Sequence, residues 1–148
     1  MSRFEIKWDP FDPSDPGPCI DVVITNSAEL IEAGLTIGLE YPKPRSIRAL
    51  LDTGASVTVV SKTFAKYCKL RQTSAGREIR ALGATHQCGE HAGTVSFPNT
   101  PLKMFDTIPI VSADFEREPH DACLIGRDIL RNWNITFDGS ANRVTIID

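Results

Sequence analysis

Asp52 follows three apolar residues, Ala49, Leu50 and Leu51, and is followed at once by Thr53, Gly54 and Ala55. A carboxylate is costly to bury unless hydrogen bonds compensate it. Thr53 offers a hydroxyl, and Gly54 lets the backbone come close enough for amide N–H groups to reach the carboxylate. A loop of this composition holds an Asp rigidly at the end of a strand, where it can serve as an acid or a base. The same tripeptide is also an ordinary β-turn, because turns use Asp, Thr and Gly constantly. On the tripeptide alone both readings stay open.

Other residues invite different chemistry. His86, Cys88 and His91 lie close together and carry the imidazoles and thiolate that suit zinc, but their spacing fits no common zinc module and a fourth ligand is not obvious. A polar flap is the competing reading of that segment. Cys68 and Cys123 sit among apolar residues, which suits core positions better than nucleophiles. No Gly-x-Ser-x-Gly, Walker loop or Gly-x-Gly-x-x-Gly occurs, so serine hydrolase and nucleotide-binding readings lack support.

The elements that must position these residues read as short strands. Ser46 to Leu51 is extended and increasingly apolar, the Asp52 loop interrupts it, and Val57 to Val60 resumes a β-branched run. Ser61 can cap a helix through about Lys69, with Phe64, Ala65 and Cys68 on one face. Upstream, Phe4, Ile6 and Trp8 alternate with charges, and Cys19 to Thr25 reads as a buried strand. Asn26 or Ser27 can cap a helix through about Ala33 that ends at Gly34, after which Leu35 to Leu39 reads as strand. Downstream, Glu78 to Leu82 and Thr94 to Phe97 form two strands around a segment rich in Gly, His and Cys. Lys103 to Val111 and Ala122 to Ile125 are further strands, Arg127 to Trp133 is a short helix, and residues 135–147 form a β-hairpin around a polar turn.

The chain has 148 residues, enough for one substantial core, with 41% hydrophobic and 24% charged residues. Four prolines within residues 9–18 preclude a regular element there, so residues 1–18 read as an N-terminal strand plus a Pro-rich segment and residues 19–148 as the domain. A formal net charge of -3 with scattered basic residues gives no reason to expect nucleic acid. Neither a signal peptide nor a stretch of spanning length is evident, so the expectation is a cytoplasmic protein with no membrane partner. Four widely spaced cysteines suggest free thiols rather than a disulfide framework.

Beyond the tripeptide, the run Ala49-Leu50-Leu51-Asp52-Thr53-Gly54-Ala55-Ser56, followed by apolar Val57 to Val60, resembles the retropepsin family of aspartic proteases. A second likeness lies about 70 residues on, in Leu124-Ile125-Gly126-Arg127-Asp128-Ile129-Leu130, and a weaker third in Asn134 to Gly139. Together they cover roughly residues 46 to 147. The resemblance implies a mainly β chain, a closed barrel of short strands with one or two short helices, active as a symmetric homodimer on peptide or protein substrates. It implies that Asp52 is catalytic, one from each subunit, that Thr53 hydrogen-bonds across the interface, and that the Gly54 carbonyl meets the bound peptide. Ala55 completes that loop, Gly126 and Arg127 support it from behind, and neither a metal nor a cofactor is required. A flap is implied between Glu78 and Phe97, its tip near Leu82, Gly83, Ala84 and Thr85.

Departures bear on these expectations. Where many viral members carry an acid that pairs with the arginine matching Arg127, this chain has Ser56, which leaves the partner of Arg127 open. The Gly-rich flap tip of viral members is absent, and the Pro-rich segment and the helix near Ala28 have no viral counterpart. The main rival function is a non-catalytic dimerisation or peptide-binding module on the same fold. A small zinc-binding interaction domain is a more distant one.

Overall fold

The computed structural model describes residues 1–81, 83–115 and 123–148. Among them the chain is mainly β, with three short helices where one or two were expected. The strands form two sheets. The smaller joins β1 (Arg3–Lys7), β10 (Arg143–Ile147) and β9 (Asn134–Asp138) in the order β1-β10-β9. The larger contains β2 (Cys19–Thr25), β3 (Ser46–Leu51), β4 (Val59–Ser61), β5 (Arg71–Ala81), β6 (Ala84–Ser96), β7 (Phe105–Ala113) and β8 (Cys123–Ile125). Its order is β2-β3-β8-β4-β7-β6-β5, and β2 also pairs with β6 through Val23↔Ser96 to Thr25↔Thr94, so the order returns to its own first strand.

Helix ends follow local chemistry. The Ser27 hydroxyl accepts from Leu30 N at the start of α1 (Ala28–Thr36), and the Ser61 hydroxyl accepts from Phe64 N at the start of α2 (Lys62–Tyr67). Each satisfies one of the orphan donors of a first helical turn. The expected stop at Gly34 is wrong, as is the expected strand from Leu35 to Leu39. Gly34 lies inside α1 because the Tyr41 ring packs where a side chain would stand, and the helix closes at Gly38, whose φ of +84° suits glycine.

The larger core unites side chains from both sheets with those of the second and third helices, including Ile6, Val22, Ile24, Ala49, Val60, Phe64, Ile110, Ile125, Ile129, Val144 and Ile146. Full burial of each large aliphatic or aromatic chain contributes roughly 1.5–3 kcal/mol. Trp133, just past α3 (Arg127–Leu130), packs edge-on against Phe97 at 5.1 Å and Phe105 at 6.0 Å, which fixes the exit of that helix. A second, smaller cluster holds Val59, Cys88 and Val111, rimmed by Val57, Ile79, Ala113, Phe115 and Leu124.

The segment rich in Gly, His and Cys is not a loop between two strands. It is the body of β6, paired with β5 from Arg71↔Ala92 to Ala81↔Ala84. Its polar residues alternate across a long hairpin with one face largely in solvent, so a polar composition is compatible with strand. No helix among the described residues is long and apolar enough to cross a membrane.

The N-terminal strand is integral to the packing, since β1 pairs along its whole length with β10 and Ile6 is 6% exposed. Ile6→Ala is therefore expected to lower unfolding free energy by about 2–4 kcal/mol. Urea denaturation measures it, and an unchanged midpoint would mark the strand as a detachable arm.

Candidate active site

Asp52 leaves the end of β3, which is held between β2 on one side and β8 on the other. The parallel pairing Leu51↔Ile125 and the bond from Asp52 N to the Ile125 carbonyl, 2.9 Å, fix where the strand stops and the loop begins. Because β3 and β4 both flank β8, the chain linking them crosses the end of β8. Ala55 N donates to the Asp52 carbonyl at 3.2 Å, and Gly54 N donates to Asp52 Oδ1 at 2.8 Å. A Cβ at Gly54 would stand 3.1 Å from that same oxygen, so a side chain there would crowd the carboxylate. The result is a half-buried Asp with one oxygen oriented by a backbone amide, beside exposed Thr53 and Gly54.

The Thr53 hydroxyl does not support the carboxylate within this chain. The Thr53 carbonyl is instead the anchored group, receiving Arg127 Nη1 at 2.7 Å, while Arg127 N donates to the Ala55 carbonyl at 2.8 Å. Arg127 thus braces the loop through two backbone carbonyls. Its partner is not a carboxylate among the described residues, and its side chain is exposed rather than part of a buried ion pair.

Sequence reasoning missed the central support, Asp128 with Thr58. Thr58 is fully buried. Its hydroxyl donates to Asp128 Oδ1 at 2.9 Å, its amide donates to Asp128 Oδ2 at 3.0 Å, and its hydroxyl oxygen accepts from Gly126 N at 3.3 Å. Asp128 also accepts from Ile129 N, which caps a helix that Gly126 cannot cap with a side chain. Gly126 is required here for space, since a Cβ would run into the Val57 carbonyl and approach Thr58 N at 3.0 Å. The available signal was an Asp in the first turn after Gly126 and a lone Thr in an apolar run.

The other nominated residues fall elsewhere. Gly83, with φ +76°, Ala84 and Thr85 lie at the tip of the β5–β6 hairpin, and Leu82 lies outside the described residues. Along β6, alternation puts His86 and Cys88 on one face and His91 on the other, where His91 Nε2 meets Ser112 Oγ at 3.0 Å. Those three do not converge on one point. All four cysteines are buried. Burial, reinforced by the nearby Asp128 charge, pushes the Cys123 thiol up to about 12, which suits a core residue and not a nucleophile.

Thr58→Val keeps the volume but removes the hydroxyl, leaving Asp128 and the Gly126 amide short of a partner. The expected cost is about 1–3 kcal/mol, read from chemical denaturation. A loss near zero would show that the buried bonds are dispensable.

A family model described as "gag-polyprotein putative aspartyl protease" matches residues 43–132, the stretch that contains the Asp52 loop, Gly126 and Asp128. Among solved structures, a retropepsin-like aspartic protease from Rickettsia conorii aligns over 97% of this chain and 89% of its own, with a TM-score of 0.55 at 13% identity. At that identity the likeness speaks for the fold, which is retropepsin-like. With more than half its length matched by the family model, the chain belongs to the gag-polyprotein putative aspartyl protease family.

Proposed function

We propose that the chain is an aspartic endopeptidase that works as a homodimer, each copy contributing Asp52 to one shared site. The observation that carries this reading is the presentation of Asp52: a half-buried carboxylate at a strand end, with Oδ1 held by the Gly54 amide and the loop anchored from behind. One such carboxylate cannot both activate a water and protonate a carbonyl in the same step. Two copies brought together about a twofold axis supply both functions. Thr53 and Gly54 are exposed, which leaves the Thr53 hydroxyl free to bond across that interface and the Gly54 carbonyl free to meet a bound peptide in this scheme. The pairings that run round β2, β3, β8, β4, β7 and β6 fit the closed barrel of such a subunit, and the β5–β6 hairpin, with Gly83, Ala84 and Thr85 at its tip, serves as the flap.

The chemistry needs one proton between two carboxylates, because neighbouring negative charges disfavour double ionisation. The ionised carboxylate takes a proton from water as the oxygen adds to the scissile carbonyl carbon. The protonated carboxyl donates its proton to the carbonyl oxygen. Collapse of the resulting gem-diol breaks the C–N bond, and the amine leaves with a proton returned from the pair. The substrate is an extended peptide, and no metal or cofactor enters the scheme.

Asp52→Asn is nearly isosteric but cannot act as a base, so peptide cleavage should fall by a factor of roughly 10² to 10⁴ with the fold unchanged. Specific activity should also decline on dilution, as mass action empties the dimer. Both are measured with a quenched peptide library, alongside circular dichroism and sedimentation. Wild-type turnover by folded Asp52→Asn, or full specific activity in a monomeric sample, would overturn the proposal.

A further inference from the structure

The β5–β6 hairpin has two chemically different faces. In the regular stretch beyond its bulges, Arg77 lies opposite Cys88 and Ile79 opposite His86. Directly opposed residues share a face, and alternation adds Glu90 to it. That face is turned toward the body, because Cys88 and Ile79 pack with Val59, Val111, Val57 and Leu124 in the smaller apolar cluster. The other face carries Glu78, bonded to Gln87 at 3.2 Å, and points away from it.

The same cluster borders the Asp52 loop. Val57 lies five residues beyond Asp52 in the chain, and Leu124 pairs with Leu50, two residues before it. Its rim residues Val57, Ile79, Ala113, Phe115 and Leu124 are each partly exposed, so the rim keeps some apolar surface open. His86 stands at its edge, exposed and directly across from Ile79. The charged and titratable groups around it are Arg77 and Glu90, which face each other at 3.7 Å, and buried Cys88, whose thiol is raised by burial and also feels Lys62 and Asp114. Lys62 and Asp114 are themselves paired at 2.9 Å. The rim residues of the cluster bring no charge. Arg77 and Glu90 answer one another, and among the described residues the His86 ring has no partner.

Resting on the protease reading above, we propose that His86 sets a charge preference: it selects a carboxylate of the extended peptide within two residues of the side chain that meets the apolar rim. A protonated imidazole donates from both ring nitrogens and carries a charge that an Asp or Glu side chain complements. Selectivity then comes from a position outside the catalytic loop, so it can be altered without touching the chemistry.

The test compares peptides with an apolar residue beside the scissile bond that differ only in Glu or Gln, placed in turn at each position within two residues of that apolar side chain. At about pH 5.5, wild type should favour Glu at one position by about fivefold in kcat/KM, the scale of a partly exposed ion pair. His86→Gln should bring that ratio close to one, and His86→Lys should restore it. His86 is exposed, so both variants should fold as wild type does. A wild-type ratio near one at every position, or an undiminished preference in His86→Gln, would overturn the assignment while leaving the protease reading in place. Absence of any cleavage by wild type across the library would overturn both.

Discussion

Asp128 takes two hydrogen bonds from Thr58, one from its amide and one from its hydroxyl, across a separation of 70 residues. This contact joins the outgoing arm of the Asp52 loop to the first turn of α3. Everything that orients the candidate catalytic carboxylate is tied to it. Gly126 can approach Val57 and Thr58 only because it lacks a side chain, and that approach brings Arg127 into reach of the Thr53 and Ala55 carbonyls. Thr58 is sealed from water, so these bonds lie where the surroundings screen them least and where an unmet donor is most costly.

Around this clamp the core divides the labour between two clusters. The larger one fixes β3, β8, α2 and α3 as a platform, with Ala49, Phe64, Ile125 and Ile129 at or near full burial. The smaller one ties the hairpin to that platform through Ile79 and Cys88. A carboxylate meant to react must be rigid yet reachable, and the two demands oppose one another. Here rigidity comes from backbone bonds and buried neighbours behind the loop, while Asp52, Thr53 and Gly54 keep their outward surface.

What could be read from the sequence was what local chemistry decides. Ser27 and Ser61 cap their helices because a serine before a helical run satisfies donors only two or three residues away. Strand β2 runs from Cys19 to Thr25, and β3 from Ser46 to Leu51, where runs of apolar residues placed them. The Gly54 amide reaches the Asp52 carboxylate as a close-approaching glycine suggests. The failures are non-local. Nothing near Gly34 indicates that Tyr41 folds back upon it, so the local sequence ends the helix too soon. Nothing near His86 shows that β5 will pair with a polar strand over its length. The role of Asp128 depends on Thr58, and that of Arg127 on carbonyls that carry no side-chain signature at all.

The smaller cluster explains why the hairpin is built from residues that look unsuited to a strand. Its outer face needs only solubility, which Glu78, Arg80 and Gln87 provide, while its inner face needs a few apolar anchors spaced two apart. Ile79 and Cys88 meet that need. Their burial contributes a few kcal/mol at most, far less than the platform gains from its many buried aliphatic chains. The two parts are therefore held by unequal forces: the carboxylate belongs to the strongly packed platform, and the hairpin is the lightly packed part. A ligand that covered the exposed rim of Val57, Ile79 and Leu124 would add apolar burial to the less complete cluster, and on packing grounds alone it would strengthen the hold of the platform on the hairpin.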